Sequence, residues 1–190
     1  MHHFHVLLMV CDFLFKNKNL GIKFIRNQAD QNWKLDAYCD SDWGNDKDTR
    51  RSVTGYVIFM NGNPMSWVSR SQKTVSLATA HAEYNAISEV CREILYIKNI
   101  MDFLYMSPTL PVIVHCDNYG AIFLSKNQES RLSKHLDIKT HFIRSYVENG
   151  VIKIVFVKSE GNLADGFTKS TGVESYMRSF AYMDEICSDG

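Results

Sequence analysis

The sequence lacks the features of a secreted, membrane-spanning or strongly cationic protein. Its five cysteines include no C-x-x-C pair, and this odd, unspaced set indicates reduced thiols in an intracellular protein. The chain does not open with a basic segment and a small-residue cleavage site, so no signal peptide is predicted, and no apolar run is long enough to span a bilayer. The 21 acidic and 21 basic residues cancel, which argues against a generally cationic nucleic-acid binder but leaves local basic patches open.

What the sequence does contain is the composition of an ordinary globular domain. The 190 residues, 45% of them hydrophobic, suffice for one domain with a full core. Strand-like and helix-like periodicities follow one another, which predicts a mixed sheet covered by helices, in the α/β or α+β class. Strands are predicted at 20–26, 35–43, 111–116 and 151–157 and a hairpin at 54–70, with helices after an N-cap at Thr79, after Asp117 or Asn118, over 135–150 and after Asn162.

The stretch "LDAYCDSDWG" places several carboxylates in a predicted strand. At period two, Leu35, Ala37 and Cys39 face one side, and the other side carries Tyr38 with three aspartates: Asp36, Asp40 and Asp42. A half-buried strand with a solvated acidic face is the plain interpretation. The alternative is that one of these aspartates belongs to a metal site completed from elsewhere in the chain.

Three further acids fall at the ends of predicted elements. Glu83 continues the apolar stripe of the long helix, where burying a carboxylate requires a cation or hydrogen bonds. Asp117 ends the strand "PVIVHC", and Asp165 lies three residues after Asn162, in the position of a capping box. Each residue also has an ordinary interpretation, namely a solvated first-turn glutamate, an N-cap and a capping partner.

Taken together, these acids favour a metal site. Clustered carboxylates repel one another and raise each other's pKa unless divalent cations neutralise them. Ligands that are all oxygen indicate Mg²⁺ or Mn²⁺ in preference to zinc. Such a site suits two ions about 4 Å apart that act on a phosphodiester.

Several blocks of the sequence match a known family in order. They are "CDSDWG", "RRSVTGYVIFMNGNPMSW", "SRSQKTVSLATAHAEYNAISE", "HCDNYGAI" and "SKHLDIKTHFIRSYVENGVI" followed by "NLADGFTK". The chain thereby resembles, from about Leu20 to Lys169, the RNase H domain of copia-type LTR retrotransposon polyproteins. The resemblance implies an RNase H-like fold with a five-stranded mixed sheet. It also implies residues 1–34 as a remnant of the reverse transcriptase connection, an RNase H-like domain at 35–170 and a tail at 171–190.

The same resemblance implies an activity and a site. The expected activity is metal-dependent cleavage of the RNA strand of RNA–DNA hybrids, with the reverse transcriptase domain of the parent polyprotein as a partner. Asp40, Glu83, Asp117 and Asp165 are the expected catalytic residues and ligands of two Mg²⁺ or Mn²⁺ ions, with Asp42 as an alternative to Asp40 or its neighbour. Asn118 and Gln72 are candidates for contacts to 2′-hydroxyl groups. Candidates for phosphate contacts are Arg50, Arg51, Arg70, Lys73, Lys126, Arg131, Lys134 and Lys139.

The chain departs from the family pattern in one loop, and two other features leave a second function open: an amino-terminal segment that looks like a replaced or truncated connection, and the zero net charge. Many RNase H enzymes carry a histidine in the loop before the last aspartate, but here that loop is "VKSEGN", and Glu160 is its titratable group closest to the aspartate. The absence of net positive charge also predicts a weak grip on nucleic acid. The alternative is therefore a catalytically silent relic, or a domesticated nucleic-acid-binding or scaffold domain.

Overall fold

The computed structural model describes residues 2–26, 32–44, 48–76, 78–126, 134–180 and 183–185. From β1 to β6 the strands and helices follow one another in the order expected from the periodicity, and α1 and β7 were not predicted. In chain order they are α1 (His2–Lys16), β1 (Leu20–Ile22), β2 (Leu35–Asp42), β3 (Val53–Met60), β4 (Asn63–Ser71), α2 (Thr79–Phe103), β5 (Val112–Cys116), α3 (Tyr119–Lys126), α4 (Lys134–Glu148), β6 (Ile152–Phe156), α5 (Val173–Ser179) and β7 (Met183–Glu185).

Five of the strands form one mixed sheet in the order β4-β3-β2-β5-β6. Strand β2 pairs antiparallel with β3 and parallel with β5, and β5 pairs parallel with β6. This architecture confirms the predicted five-stranded mixed sheet. Because β2, β5 and β6 run in the same direction, their carboxyl ends meet at one edge, where sites gather in sheets of this kind.

The predicted hairpin is confirmed as the pair β3 and β4. Its two-residue turn consists of Asn61 and Gly62, whose φ angles are 49° and 80°. Positive φ at both central residues matches the right-handed twist of the flanking strands, and asparagine followed by glycine is the sequence that adopts it most readily.

The two sides of β2 pack into different layers, as the period-two pattern predicts. Leu35, Ala37 and Cys39 lie in the main core under α2, together with buried residues of that helix such as Ile87 and Ile94. On the opposite face, Tyr38 packs against a smaller cluster formed by Val57, Phe59 and Phe167. Helix α2 thus covers one face of β2, and the smaller cluster packs on part of the other face.

Helix α2 begins one residue earlier than predicted. Ala78 occupies the N-cap position with extended backbone angles and makes no capping hydrogen bond through its side chain, and Thr79 is the first helical residue. The prediction of Thr79 as the N-cap is therefore wrong by one position. Glu83 remains near the start of the helix, where the helix dipole favours negative charge.

The two terminal segments pair with each other. Residues 2–16 form a helix for which the sequence analysis gave no prediction, and most of its apolar side chains are exposed. Strand β1 pairs antiparallel with β7, with Leu20 opposite Glu185. The ring of Phe13 makes an edge contact with Tyr176 of α5. Within the described ranges, no helix has the length and apolar character needed to cross a membrane.

Candidate catalytic site

Asp40 and Asp117 are placed side by side by two neighbouring parallel strands. Asp40 lies near the end of β2 and is buried, and Asp117 follows the last residue of β5 and is half-buried. Since β2 and β5 are hydrogen-bonded neighbours, their ends bring the two carboxylates to the same edge of the sheet.

Glu83 reaches this edge from the start of α2. It is only 4% exposed, and the backbone N–H of Ser41 donates a hydrogen bond to its carboxylate. Its Oε2 atom has no hydrogen-bond partner among the residues that the structure describes. Burial, together with the nearby charge of Asp40, raises the pKa of Glu83 to about 10. Without a cation this side chain is therefore protonated at neutral pH.

Asp165 is carried by a short 3-10 helix, Asp165–Phe167, that packs against the sheet beside Asp40. The close approach requires a glycine at position 55, which pairs with Asp40 across the sheet. A Cβ atom on Gly55 would lie 2.6 Å from Thr168 Cγ2 and 2.8 Å from Phe167 Cβ. The side-chain amide of Asn162 fixes the same segment by donating to the Cys39 carbonyl at 3.0 Å.

The four predicted acids come together in two overlapping groups. Ligand atoms of Asp40, Asp117 and Asp165 lie within 4.8 Å of one another, and so do those of Glu83, Cys116 and Asp117. Asp117 is common to both groups. Asp42 is half-buried and belongs to neither, and Asp36 forms an ion pair with Lys34 at 2.9 Å. The structure thus brings Asp40 into the cluster and leaves Asp42 outside it.

The cluster includes two residues that were not predicted, Thr168 and Lys169. The Thr168 hydroxyl donates a hydrogen bond to Asp40 Oδ2. Lys169 Nζ lies 3.1 Å from Asp165 Oδ1 and 3.6 Å from Asp40 Oδ2. Both residues lie in the block "NLADGFTK", three and four positions after Asp165, so their spacing from a predicted ligand was a signal in the sequence.

Burial dominates the electrostatics of these carboxylates. It raises the pKa of Asp40 even though the Thr168 hydroxyl and the Lys169 ammonium lower it. Burial likewise raises the pKa of Asp165 against the effect of Lys169. For Lys169, burial lowers the pKa, but Asp40 and Asp165 together raise it overall. The three aspartates therefore carry more negative charge than Lys169 can neutralise, and a bound cation would offset the remainder.

The neighbourhood of Asp117 settles which residue caps α3. Asn118 accepts a hydrogen bond from the backbone N–H of Ala121 at 3.0 Å and is the N-cap. The Asp117 carboxylate instead accepts a hydrogen bond from the Ser159 hydroxyl at 2.7 Å. The loop that lacks a histidine thus supplies a hydroxyl to the site, while Glu160 is exposed.

Among the residues predicted to contact nucleic acid, some are exposed and one is buried. Gln72 is buried, and its amide donates to Thr54 Oγ1 and to the Ala82 carbonyl, so it has no exposed side chain with which to contact a duplex. Arg70 is exposed and forms an ion pair with Glu89 at 2.8 Å, and Lys73 is exposed. Arg131 and the side chains of Lys126 and Lys134 lie outside the described residues.

The donor set fits divalent cations. Four carboxylates supply oxygen ligands, and the buried Glu83 Oε2 lacks a partner within the part of the chain that the structure describes. Oxygen ligands are those that Mg²⁺ and Mn²⁺ prefer. The sulfur of Cys116 also lies in one group, but it accepts a weak hydrogen bond from the Asn118 backbone N–H at 3.5 Å.

Comparison with curated proteins identifies the relatives of this chain. The sequence is 35% identical over 169 residues to the retrovirus-related Pol polyprotein from transposon RE1 of Arabidopsis thaliana, and 37% identical over 136 residues to that from transposon TNT 1-94 of Nicotiana tabacum. The chain is a homologue of copia-type Pol polyproteins. The two alignments cover 88% and 71% of this chain but only 11% and 10% of the polyproteins, and no family model matches it.

Comparison with solved structures confirms the RNase H fold. LC11-RNase H1, isolated from compost, superimposes with a TM-score of 0.53 at 20% identity, covering 71% of this chain and 92% of that one. The N-terminal RNase H domain of a Mycobacterium tuberculosis protein gives a TM-score of 0.53 at 10% identity, covering 79% and 96%. A further crystal structure of LC11-RNase H1, in complex with an RNA/DNA hybrid, gives a TM-score of 0.52 at 19% identity. The match covers 71% of this chain and 94% of that one.

Proposed function

We propose that this copia-type Pol homologue is a metal-dependent endoribonuclease that cleaves the RNA strand of RNA–DNA hybrids. The observation that carries the proposal is the convergence of four carboxylates from four separate elements at one edge of an RNase H fold. A solvated acidic face does not explain this arrangement, since Asp40, Glu83 and Asp165 are all buried.

In this proposal Asp40, Glu83, Asp117 and Asp165 hold two Mg²⁺ or Mn²⁺ ions. Asp117 belongs to both carboxylate groups, which supports a shared role for it in holding the two ions. Held by these carboxylates, such ions would supply activation of a water for in-line attack on a phosphodiester and stabilisation of the leaving oxygen. A nearby cation also favours the ionised form of Glu83, whose pKa is otherwise about 10.

Three polar side chains orient the ligands. The Ser159 hydroxyl fixes one oxygen of Asp117, and the Thr168 hydroxyl fixes one oxygen of Asp40, which restricts the rotation of both carboxylates. Lys169 offsets part of the repulsion between Asp40 and Asp165. Residues that orient metal ligands typically contribute 10–100-fold in metal affinity or activity.

The hybrid substrate is supported by two observations. The relatives are Pol polyproteins of transposons, and a solved structure with the same fold contains an RNA/DNA hybrid. We therefore also propose the reverse transcriptase domain of a parent polyprotein as a partner. The silent-domain alternative rests on the zero net charge, which leaves few phosphate contacts to hold a duplex.

The test is cleavage by the full chain of a hybrid labelled on its RNA strand, with Mg²⁺ or Mn²⁺ and at low salt. Single-stranded RNA and duplex DNA are the control substrates. We expect the RNA strand of the hybrid to be cut and Asp117→Asn to abolish cutting. Asp36→Asn is the matched control, because Asp36 lies on the same strand and pairs with Lys34 away from the cluster.

Each failure has a distinct meaning. Equal cutting of single-stranded RNA would refute hybrid specificity, and wild-type cutting by Asp117→Asn would refute the carboxylate mechanism. Binding of the hybrid without cleavage by the wild type would support the silent-domain alternative. Comparison of Asp40→Asn with Asp42→Asn identifies the ligand on β2, and we expect only the first to lose activity.

A further inference from the structure

A cysteine lies among the carboxylates at the sheet edge. The sulfur of Cys116 and one carboxylate oxygen each of Glu83 and Asp117 all lie within 4.8 Å of one another. Cys116 is the last residue of β5 and is buried, whereas Asp117 is half-buried and connects the group to the surface. Mg²⁺ takes oxygen ligands, while sulfur is a ligand of softer ions such as Zn²⁺. The site therefore contains a second set of donor atoms that its role in holding Mg²⁺ does not explain.

Glu83 contributes an oxygen atom that needs a partner. The backbone N–H of Ser41 donates a hydrogen bond to the Glu83 carboxylate, but its Oε2 atom is buried and receives none from any residue that the structure describes. A buried polar atom without a partner costs free energy. A metal ion between Glu83 and Cys116 would supply that partner.

The surroundings of the Cys116 sulfur suit a metal-bound thiolate. The backbone N–H of Asn118 donates to Sγ at 3.5 Å, and a hydrogen bond of this kind stabilises negative charge on the sulfur. A thiol that coordinates a divalent ion loses its proton to solvent. The Cys39 thiol lies beside this sulfur, but it donates to the His115 carbonyl at 3.6 Å and belongs to neither of the two ligand groups in the described part of the chain.

The spacing of the three donor atoms is close to that of a tetrahedral metal site. Ligand atoms bonded to one Zn²⁺ ion at about 2.0–2.3 Å lie roughly 3.5 Å apart. Small rotations of the Glu83 and Asp117 side chains would bring the group from its limit of 4.8 Å to that spacing. Three protein ligands leave the fourth position of such an ion for water.

We propose that Glu83, Cys116 and Asp117 bind one thiophilic divalent cation of the Zn²⁺ class, in competition with the pair of Mg²⁺ or Mn²⁺ ions. Two of these three residues are proposed ligands of the catalytic ions, so an ion held by the sulfur occupies carboxylates that catalysis requires. The consequence is an inhibitory site within the catalytic cluster. Inhibition rests on the proposed nuclease, whereas binding of the ion does not.

The first test is a titration of the metal-free, reduced full chain with Co²⁺, which reports a sulfur ligand by a charge-transfer absorption in the near ultraviolet. We expect the wild type to develop this absorption in a saturable manner and Cys116→Ser to lack it. Cys91→Ala is the matched control, because Cys91 is equally buried but belongs to neither ligand group. Cys11→Ser is the control for an exposed thiol. Both controls should retain the absorption.

The second test compares the binding of Zn²⁺ with that of Mn²⁺ by calorimetry. Cys116→Ser should weaken Zn²⁺ binding by at least about tenfold, the smallest loss usual even for residues that only support a ligand. Mn²⁺ binding should weaken much less, because Mn²⁺ prefers oxygen. Cys116→Ala should show the same selective loss, and it adds no hydroxyl group to the core. Equal losses for the two ions in both variants would overturn the proposal, as would a wild type without the charge-transfer absorption or its persistence in Cys116→Ser.

The ion site and the nuclease can fail separately. Cleavage of the hybrid with Mg²⁺ is measured as Zn²⁺ is added, each variant relative to its own rate without Zn²⁺. We expect Cys116→Ser to need at least about tenfold more Zn²⁺ for half inhibition than Cys91→Ala. If the wild type cuts the hybrid but shows no charge-transfer absorption, the ion site is refuted and the nuclease stands. If the wild type cuts no substrate but shows an absorption that Cys116→Ser lacks, the nuclease is refuted and the ion site stands.

Discussion

At its amino-terminal end helix α2 buries Glu83 to 4% exposure, whereas at its carboxyl-terminal end it leaves Phe103 82% exposed. Near Glu83 the polar side chains of Asn85 and Ser88 are buried as well. Near Phe103, the apolar residues Tyr96, Ile100 and Leu104 are exposed. One helix thus departs from the usual distribution of polar and apolar residues in opposite ways at its two ends.

The buried polar residues need compensating interactions, whereas the exposed apolar residues do not. Burying an ionised carboxylate costs free energy unless a cation or hydrogen bonds compensate for it. The other carboxylates around Glu83 form a cluster that suits a cation. Exposed hydrophobic residues need no compensation, because more than half of an ordinary protein surface is apolar. We therefore expect changes at the first end to alter function and pH dependence, and changes at the second end to alter neither.

The largest expected difference is in catalysis. Glu83→Gln should lower kcat/KM for hybrid cleavage by at least about a hundredfold, since it removes a charged metal ligand and not merely a residue that orients one. Phe103→Ser, at the other end of the same helix, should stay within about twofold of the wild type, well below the tenfold that 1.4 kcal/mol represents. Equal losses in the two variants would indicate a structural effect of the helix and would contradict the site assigned to Glu83.

The next effect concerns packing beside Asp40. Gly55→Ala should destabilise the protein by about 1–3 kcal/mol, because the added Cβ would meet Thr168 and Phe167 at under 3 Å. It should also reduce cleavage, because the segment that carries Asp165 must move away. Gly172→Ala is the control, since a Cβ there meets no atom within 4 Å. Urea unfolding of both variants measures the difference, and equal stabilities would contradict the close approach at Gly55.

The pH dependence of stability should also differ between variants at the two ends of α2. The pKa of Glu83 is about 10 in the folded protein and near 4.5 in the unfolded chain, so the folded state binds more protons between these values. Stability without metal should therefore fall as pH rises from 5 to 9. The pKa values of Asp40 and Asp165 are also raised in the folded protein, so these groups too make stability fall as the pH rises. Glu83→Gln should flatten the profile and Phe103→Ser should not, as thermal unfolding in a chelator would reveal. Identical slopes in both variants would contradict the buried carboxylic acid.

The smallest expected effect is that of Phe103→Ser on stability. Substitutions at exposed positions usually change the free energy of unfolding by less than about 0.5 kcal/mol. A loss of several times that amount would mean that the ring is covered, and that this end of α2 is an interface in solution. Unfolding measured at two protein concentrations distinguishes the cases, since stability of an associated form depends on concentration.

Much of the fold was predictable because it follows from local periodicity. The alternation in β2 and the three- and four-residue spacing in α2 specify which side of each element is buried, and the structure follows both patterns. The pairing of β1 with β7 was not predictable, because it joins segments more than 160 positions apart and neither strand has a distinctive pattern. Non-local pairings of short strands depend on the rest of the fold being in place.

The candidate site was predictable in its charged residues and less so in their surroundings. A glutamate on an apolar stripe and an aspartate after a buried strand are anomalies that a sequence displays. By contrast, the requirement for glycine at position 55 arises only when the segment carrying Asp165 packs on β3. The role of Asn118 as the cap in place of Asp117 was likewise undecided by the sequence, because both residue types cap helices well.

Asp117 belongs to both carboxylate groups, so the proposed metal site depends on this residue most. The most direct test is a titration of the metal-free full chain with Mn²⁺, followed by calorimetry, for the wild type, Asp117→Asn and Asp36→Asn. We expect saturable binding to the wild type and to Asp36→Asn, and loss of most of that binding in Asp117→Asn. Unchanged Mn²⁺ binding by Asp117→Asn would contradict the claim that these four carboxylates form one metal site.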